Sequence, residues 1–176
     1  DVSDASGTAL FYAANRRWSE KMIEALHLDR GILPTVYESQ EISGRISRSA
    51  AELTGLREGT PVVAGAGDQA ASAIGNGIVS GGPVSCTLGT SGVVSSYLAQ
   101  PNYDAAGRVH TFCHAVKNAW HVMGVTQGAG FSLQWFRAQM APSSNYDSLM
   151  DEAAAAPAGS QGLFWLPYLM GERTPH

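Results

Sequence analysis

Up to about Ile78 the chain alternates helical spacing with continuous apolar runs, and beyond Gly81-Gly82-Pro83 it changes to paired β-type runs. In Trp18-Ser19-Glu20-Lys21-Met22-Ile23-Glu24-Ala25-Leu26, Ser19 is set as an N-cap ahead of Met22, Ile23 and Leu26 at helical spacing. Gly31 and Pro34 follow to end that helix. Ser49-Ala50-Ala51-Glu52 has the capping-box spacing and predicts a short helix that Gly55 closes. After Thr60-Pro61, the run Val62-Val63-Ala64-Gly65-Ala66-Gly67 has almost no polar alternation. That predicts a central strand buried on both faces. The alanine-rich span from Gln69 to Ile78 predicts the helix behind it.

Gly81-Gly82-Pro83 is the strongest boundary signal. Past it, Val84 to Leu88 and Val93 to Leu98 predict strands joined by a Gly-Thr-Ser-Gly turn. Phe112 to Val116 and Trp120 to Val125 predict a second pair around Lys117-Asn118. Helical spacing returns over Ala129 to Met140, with Leu133, Phe136 and Met140 as its inner face. A last helix is expected near Tyr146 to Ala155, behind Ser143-Ser144-Asn145. No long-period repeat is present.

Composition narrows the function classes. The 176 residues, 44% hydrophobic and 15% charged, suit one ordinary domain or parts of two with a real core. A net charge of −4, with only 11 Lys and Arg and no basic stripe, excludes nucleic-acid and anionic-membrane partners. No apolar run approaches a membrane span and no signal peptide opens the chain, so a cytoplasmic location is expected. Cys86 and Cys113 lack Cys-x-x-Cys spacing and read as buried thiols of a reducing compartment. Asp1 and the closing Gly171-Glu172-Arg173-Thr174-Pro175-His176 do not look like natural termini, which suggests an internal piece of a longer protein.

Two short segments carry candidate chemistry. Asp68 stands where the apolar run ends, and Gly65 and Gly67 leave open space at that strand end, where ligands bind in α/β sheets. It can serve as a base, or simply as the N-cap of the following helix. Leu88-Gly89-Thr90-Ser91-Gly92 can wrap phosphate oxygens with backbone N–H groups and hydroxyls, or be an ordinary hairpin turn. No lysine and no helix follow it as in a P-loop. His110, Phe112 and His114 share a strand face, with His110 and His114 roughly 13 Å apart. With Lys117-Asn118 as a two-residue turn, His114 lies across from His121, giving a cross-strand polar pair and too few ligands for zinc. The four tryptophans, on separate elements, read as core or interface residues.

Several stretches together resemble the FGGY carbohydrate kinases, and among them the branch that phosphorylates D-xylulose. They are Ser3-Asp4-Ala5-Ser6-Gly7-Thr8, Gly65-Ala66-Gly67-Asp68-Gln69-Ala70-Ala71, Leu88-Gly89-Thr90-Ser91-Gly92-Val93, Phe112-Cys113-His114-Ala115-Val116, Trp120-His121-Val122-Met123 and Leu166 through His176. The resemblance implies an actin-like, ribonuclease-H-like α/β fold. Residues 1–80 then form the C-terminal part of the first, sugar-binding domain, and residues 81–176 the N-terminal part of the second, nucleotide-binding domain. It implies Asp68 as catalytic base, Gln69 facing the sugar, and Gly89, Thr90, Ser91 and Gly92 as a phosphate loop. Gly130 and Gln134 align with nucleotide contacts of glycerol-kinase relatives.

The activity so implied is ATP- and Mg²⁺-dependent phosphorylation of a sugar hydroxyl, D-xylulose giving D-xylulose 5-phosphate. The Mg²⁺ ligands and adenine pocket fall on segments before Asp1 and after His176. The isolated chain is therefore expected to be inactive, and the full-length enzyme is compatible with a homodimer. The alternatives are a glycerol, gluconate or ribulose kinase of the same family, an inactive fragment, or an actin-like ATP-dependent scaffold. The scaffold needs no sugar-facing Asp68-Gln69 pair.

Overall fold

The computed structural model describes residues 1–174. Pro175 and His176, which close the Gly-Glu-Arg-Thr-Pro-His motif, lie outside the described residues. Helix α1 (Val2–Ala5) runs through a 3-10 turn to the short hairpin strands β1 (Phe11–Tyr12) and β2 (Arg17–Trp18). Helix α2 (Glu20–Ala25), strand β3 (Ile42–Arg45), helix α3 (Arg48–Thr54), strand β4 (Pro61–Val63) and helix α4 (Asp68–Gly75) follow. Strands β5 (Val84–Leu88), β6 (Gly92–Leu98), β7 (His110–Cys113) and β8 (Trp120–Thr126) make a four-stranded sheet in the order β5-β6-β8-β7. Helices α5 (Gly130–Met140) and α6 (Tyr146–Ala155) come last. The α/β expectation holds.

Local polar chemistry explains most element ends. Ser19 Oγ accepts the Met22 N–H at 3.3 Å to start α2. Asn145 Oδ1 accepts the Ser148 N–H at 2.8 Å to start α6. Helix α3 closes on Gly55 at φ 74°, a left-handed conformation that glycine adopts without a Cβ penalty. Its start differs from the capping-box expectation. Ser47, not Ser49, caps the helix, accepting the Ala50 N–H at 3.2 Å, while Ser49 Oγ lies 3.1 Å from Ser47 Oγ.

Three further expectations are corrected. β4 is not a buried central strand: its one strand partner is β3, antiparallel, and Val62 and Val63 are 40% and 52% exposed. Burial on both faces needs covering layers, and among the described residues β4 has none. On α5 the buried side chain is Ser132, while Phe136 and Met140 are exposed. The Ser132 hydroxyl donates to the Gly128 carbonyl one turn back, and Gly128 is in turn packed against Pro167, where a Cβ would run into the Pro167 oxygen. Of the two free thiols, Cys113 is fully buried but Cys86 is exposed.

The described residues form two compact units, one of residues 1–85 and 95–123 and the other of residues 86–94 and 124–174. The core of the first gathers Val2, Ala5, Phe11, Ala13, Trp18, Ile23, Cys113 and Trp120. Phe11 and Trp18 meet edge to face at 5.4 Å. The Ala13 carbonyl accepts both the Trp120 indole N–H at 2.9 Å and the Cys113 thiol at 3.3 Å. Arg16 Nη1 donates to both Glu38 carboxylate oxygens at 2.8 and 2.9 Å, Nη2 donates to the Ala119 carbonyl at 2.6 Å, and the guanidinium lies 4.7 Å from the centre of the Trp120 ring. This polar frame holds β7 and β8 against the N-terminal segment.

Candidate active site

In the first unit a cavity of about 130 Å³ is lined by Ser3, Asp4, Asp68, Gln69, Phe112 and His121, among others. Hydrogen bonds hold its walls together. The Gly67 N–H donates to Ser3 Oγ at 2.9 Å, which fixes the start of α4 against α1. Ser6 Oγ donates to the Val2 carbonyl at 2.7 Å and accepts the Cys113 N–H at 3.0 Å, which fixes α1 against β7. A Cβ at Gly67 would stand 3.5 Å from an Asp4 carboxylate oxygen and 3.6 Å from Ser3 Oγ.

Asp68 is the first residue of α4, exposed at the cavity, and Gly67 holds the N-cap position with no side-chain cap bond. Among the described residues, Asp68 Oδ1 accepts only the adjacent Gln69 N–H, at 2.7 Å. The capping alternative for Asp68 therefore fails: an N-cap carboxylate bonds amides two or three residues on. Gln69 is half-buried in the same wall.

Two lining residues escape the sequence reading. Asp4, exposed on α1, adds a second carboxylate. Its segment lies within the family-like Ser3-to-Thr8 stretch, which was the only available signal. His121 is the other, 5% exposed, with neither ring nitrogen hydrogen-bonded. Burial, with His114 acting in the same direction, pushes its pKa down to about 4.

The strand register corrects the expected pairing of these histidines. His121 pairs with Phe112 and Cys113 with Trp120. His114 lies beyond the ladder, its N–H donating to the Ala119 carbonyl at 2.9 Å, because the connection is longer than two residues and turns at Asn118, φ 57°. The two rings still meet diagonally, 5.7 Å between centroids and edge to face. His114 Nδ1 accepts the Val116 N–H at 3.0 Å, so its proton sits on Nε2. Burial lowers its pKa, weakly opposed by the Ile78 backbone.

The remaining candidates stand in the second unit. The turn after β5 is exposed from Gly89 to Ser91, and the Gly89 N–H donates to the Ser91 carbonyl at 2.9 Å. The Thr90 carbonyl accepts the Ala129 and Phe131 N–H groups at 3.1 and 3.2 Å, and the Gly89 carbonyl accepts the Gly130 N–H at 2.9 Å. The turn thus caps α5. A Cβ on Gly130 would fall 2.6 Å from the Gly89 oxygen, and one on Gly92 would fall 3.0 Å from Thr126 Cγ2. Gly89, Thr90, Ser91, Gly92 and Gly130 are brought together; Gln134 is exposed, one turn further along α5. With those α5 amides taken up, an anion at this turn has the Thr90 and Ser91 hydroxyls to meet.

The end of β8 is clamped from the C-terminal motif, a role the sequence did not suggest. Glu172 accepts the Thr126 hydroxyl at 2.7 Å and the Gln127 N–H at 2.9 Å. Buried Thr174 accepts the Val125 N–H and donates to the Val125 carbonyl at 3.0 Å. Among the described residues no group of three or more His, Cys, Asp or Glu is placed to hold a metal ion. No helix among them is long and apolar enough to cross a membrane.

Comparison with known proteins adds independent information. Residues 1–75 match the N-terminal domain of the FGGY family of carbohydrate kinases, and residues 84–176 match its C-terminal domain. The chain is 42% identical over 176 residues to the xylulose kinase of Bacillus subtilis, covering all of this chain and 35% of that protein. It superposes on a xyloylose kinase from Brucella ovis with a TM-score of 0.89 at 35% identity, covering 100% of this chain and 36% of that one. A gluconate kinase from Lactobacillus acidophilus gives 0.90 at 26% identity, covering 99% and 36%. The chain thus spans about a third of the length of these relatives, and its fold is that of the actin-like sugar kinases.

Proposed function

We propose that this chain, which belongs to the FGGY family of carbohydrate kinases, carries the proton-accepting part of a sugar kinase that phosphorylates D-xylulose with ATP and Mg²⁺. On this reading residues 1–80 belong to the sugar-binding domain and residues 81–176 to the nucleotide-binding domain. The observation that carries it is Asp68: a carboxylate at the start of α4, released from helix capping and facing a cavity with Gln69.

A cavity of about 130 Å³ is small beside the ~300–1,000 Å³ that encloses drug-sized ligands, so it takes the reacting end of a small polyol rather than a nucleotide. A sugar hydroxyl ionises far above neutral pH and needs a positioned acceptor as transfer proceeds. Asp68 takes that proton while the hydroxyl oxygen forms its bond to the γ-phosphorus and the bond to the ADP oxygen breaks. A carboxylate suffices when the transition state is loose and the proton leaves late. Gln69 supplies an amide to orient the acceptor.

Thr90, Ser91 and the glycines Gly89 and Gly92 are assigned to the phosphoryl oxygens, and Gly130 and Gln134 to the nucleotide. The glycines fit because two of these positions, Gly92 and Gly130, admit no Cβ without displacing a neighbour. Mg²⁺, when bound with the nucleotide, would supply positive charge to offset that of the phosphoryl oxygens. Among the described residues no group of three or more His, Cys, Asp or Glu stands ready for it, and no step here is assigned to the metal.

Identity to xylulose kinase relatives supports D-xylulose as acceptor, and the likeness to a gluconate kinase structure makes gluconate the comparison to run. The test is a panel of D-xylulose, glycerol, gluconate and L-ribulose on the intact protein with ATP and Mg²⁺. Highest kcat/KM on D-xylulose is expected; clear preference for another acceptor overturns the substrate assignment.

A further inference from the structure

The cavity that presents Asp68 also contains a polar side chain with nothing to bond. His121 is 5% exposed, lines the cavity, and has no partner for either ring nitrogen among the described residues. Its ring meets Phe112 and His114 edge to face, at centroid distances of 6.1 and 5.7 Å. β8 fixes its backbone opposite Phe112. Burial without a hydrogen bond is unfavourable unless something entering the cavity supplies one.

The required partner has a definite chemistry. Burial keeps the imidazole uncharged at neutral pH, so one nitrogen donates and the other accepts. A phosphate or carboxylate would prefer a cation. A hydroxyl, which both donates and accepts, matches a neutral imidazole. His121 is buried where Asp68 is exposed, so the two meet different parts of one ligand. His114, its tautomer set by the Val116 amide, backs the ring as a positioning residue.

We propose that His121 hydrogen-bonds a hydroxyl of the acceptor sugar other than the one that is phosphorylated, and so helps decide which polyols the cavity accepts. This rests on the sugar-kinase reading above.

The test measures binding by calorimetry to the intact protein without ATP, using D-xylulose and deoxy analogues that each lack one hydroxyl. His121→Phe should weaken D-xylulose on the order of 10-fold, the usual scale for one lost hydrogen bond, with KM for ATP unchanged. One deoxy analogue should bind wild type and variant alike, because the hydroxyl that His121 meets is already gone. His121→Gln, which keeps a donor and an acceptor, should recover most of the loss. Equal weakening of every analogue, or wild-type affinity in His121→Phe, overturns the proposal while leaving the kinase reading standing. A wild-type protein that binds no sugar overturns both. Should His121→Phe fail to fold, ¹⁵N-histidine spectra of the wild type decide: His121 resonances must shift with saturating D-xylulose, and unmoved resonances overturn the proposal.

Discussion

Mild acid should destabilise this protein through His121 before its carboxylates are protonated. An unfolded histidine takes up a proton near its ordinary pKa of 6.5, whereas the folded His121 does so only near pH 4. Between those values the unfolded chain binds more protons, so stability falls as pH falls. The contribution is complete above about pH 6.5 and drains away toward about pH 4. Its full size is about 3 kcal/mol, of which about 2 kcal/mol is gone by about pH 5. His114, also lowered by burial, acts in the same direction. The carboxylates of the cavity, Asp4 from α1 and Asp68 from α4, stand at its exposed side rather than paired with the imidazole. Glu41, lowered by its bond from Lys117, and Asp104, held below the usual carboxylate range by the Arg108 side chain, lose their contributions only at lower pH. The assay is urea unfolding of the intact protein in steps from about pH 7 to about pH 5, wild type against His121→Gln. The wild type should lose about 2 kcal/mol over that range and the variant clearly less. Equal slopes for the two proteins would show that His121 is not held neutral by burial, and the reasoning would fall.

Three other outcomes are expected. Asp68→Asn should lower kcat by roughly 10²-fold or more in the intact enzyme, the scale of a lost general base, with unfolding midpoint unchanged because Gly67 holds the cap position; near-normal turnover would remove Asp68 as the base. Gly130→Ala should cost about 1–3 kcal/mol and raise KM for ATP, since its Cβ meets the Gly89 carbonyl at 2.6 Å and must displace the turn; unchanged denaturation and nucleotide kinetics would refute that coupling. Thr174→Val keeps the shape but strands the Val125 N–H, and should cost about 1–3 kcal/mol in chemical denaturation; a neutral result would deny the clamp.

Signals that act within a few residues were readable from the sequence. Ser19, Asn145 and Gly55 terminate helices where their side chains or φ preference act on the adjacent turn, and no distant partner is needed. The errors arise where a second element decides. Ser49 and Ser47 compete for one helix start, and the backbone ahead of the helix selects Ser47. The apolar run at Val62 and Val63 expresses a capacity for burial, but burial requires covering layers that the described residues do not provide. On α5, Phe136 and Met140 have helical spacing, yet the face that is covered is the one at Ser132, where Gly128 meets Pro167.

The site follows the same division. Asp68, Gln69 and the Gly89-to-Gly92 turn are contiguous signals, and each falls where its spacing placed it, at a helix start or between two strands. Asp4 and His121 are functional candidates only because α1 and β8 reach the same cavity, a juxtaposition that no spacing in the sequence reports. The histidine pairing shows how one assumption about a turn propagates. A two-residue turn at Lys117-Asn118 puts His114 opposite His121, where each could satisfy the other as a polar pair. The longer turn moves His121 opposite Phe112, gives His114 Nδ1 to the Val116 amide, and leaves the buried nitrogens of His121, a residue that lines the cavity, without partners among the described residues. That shift in register converts a self-satisfied pair into a buried donor and acceptor without partners, and so is the step on which the proposed sugar-contacting role for His121 rests.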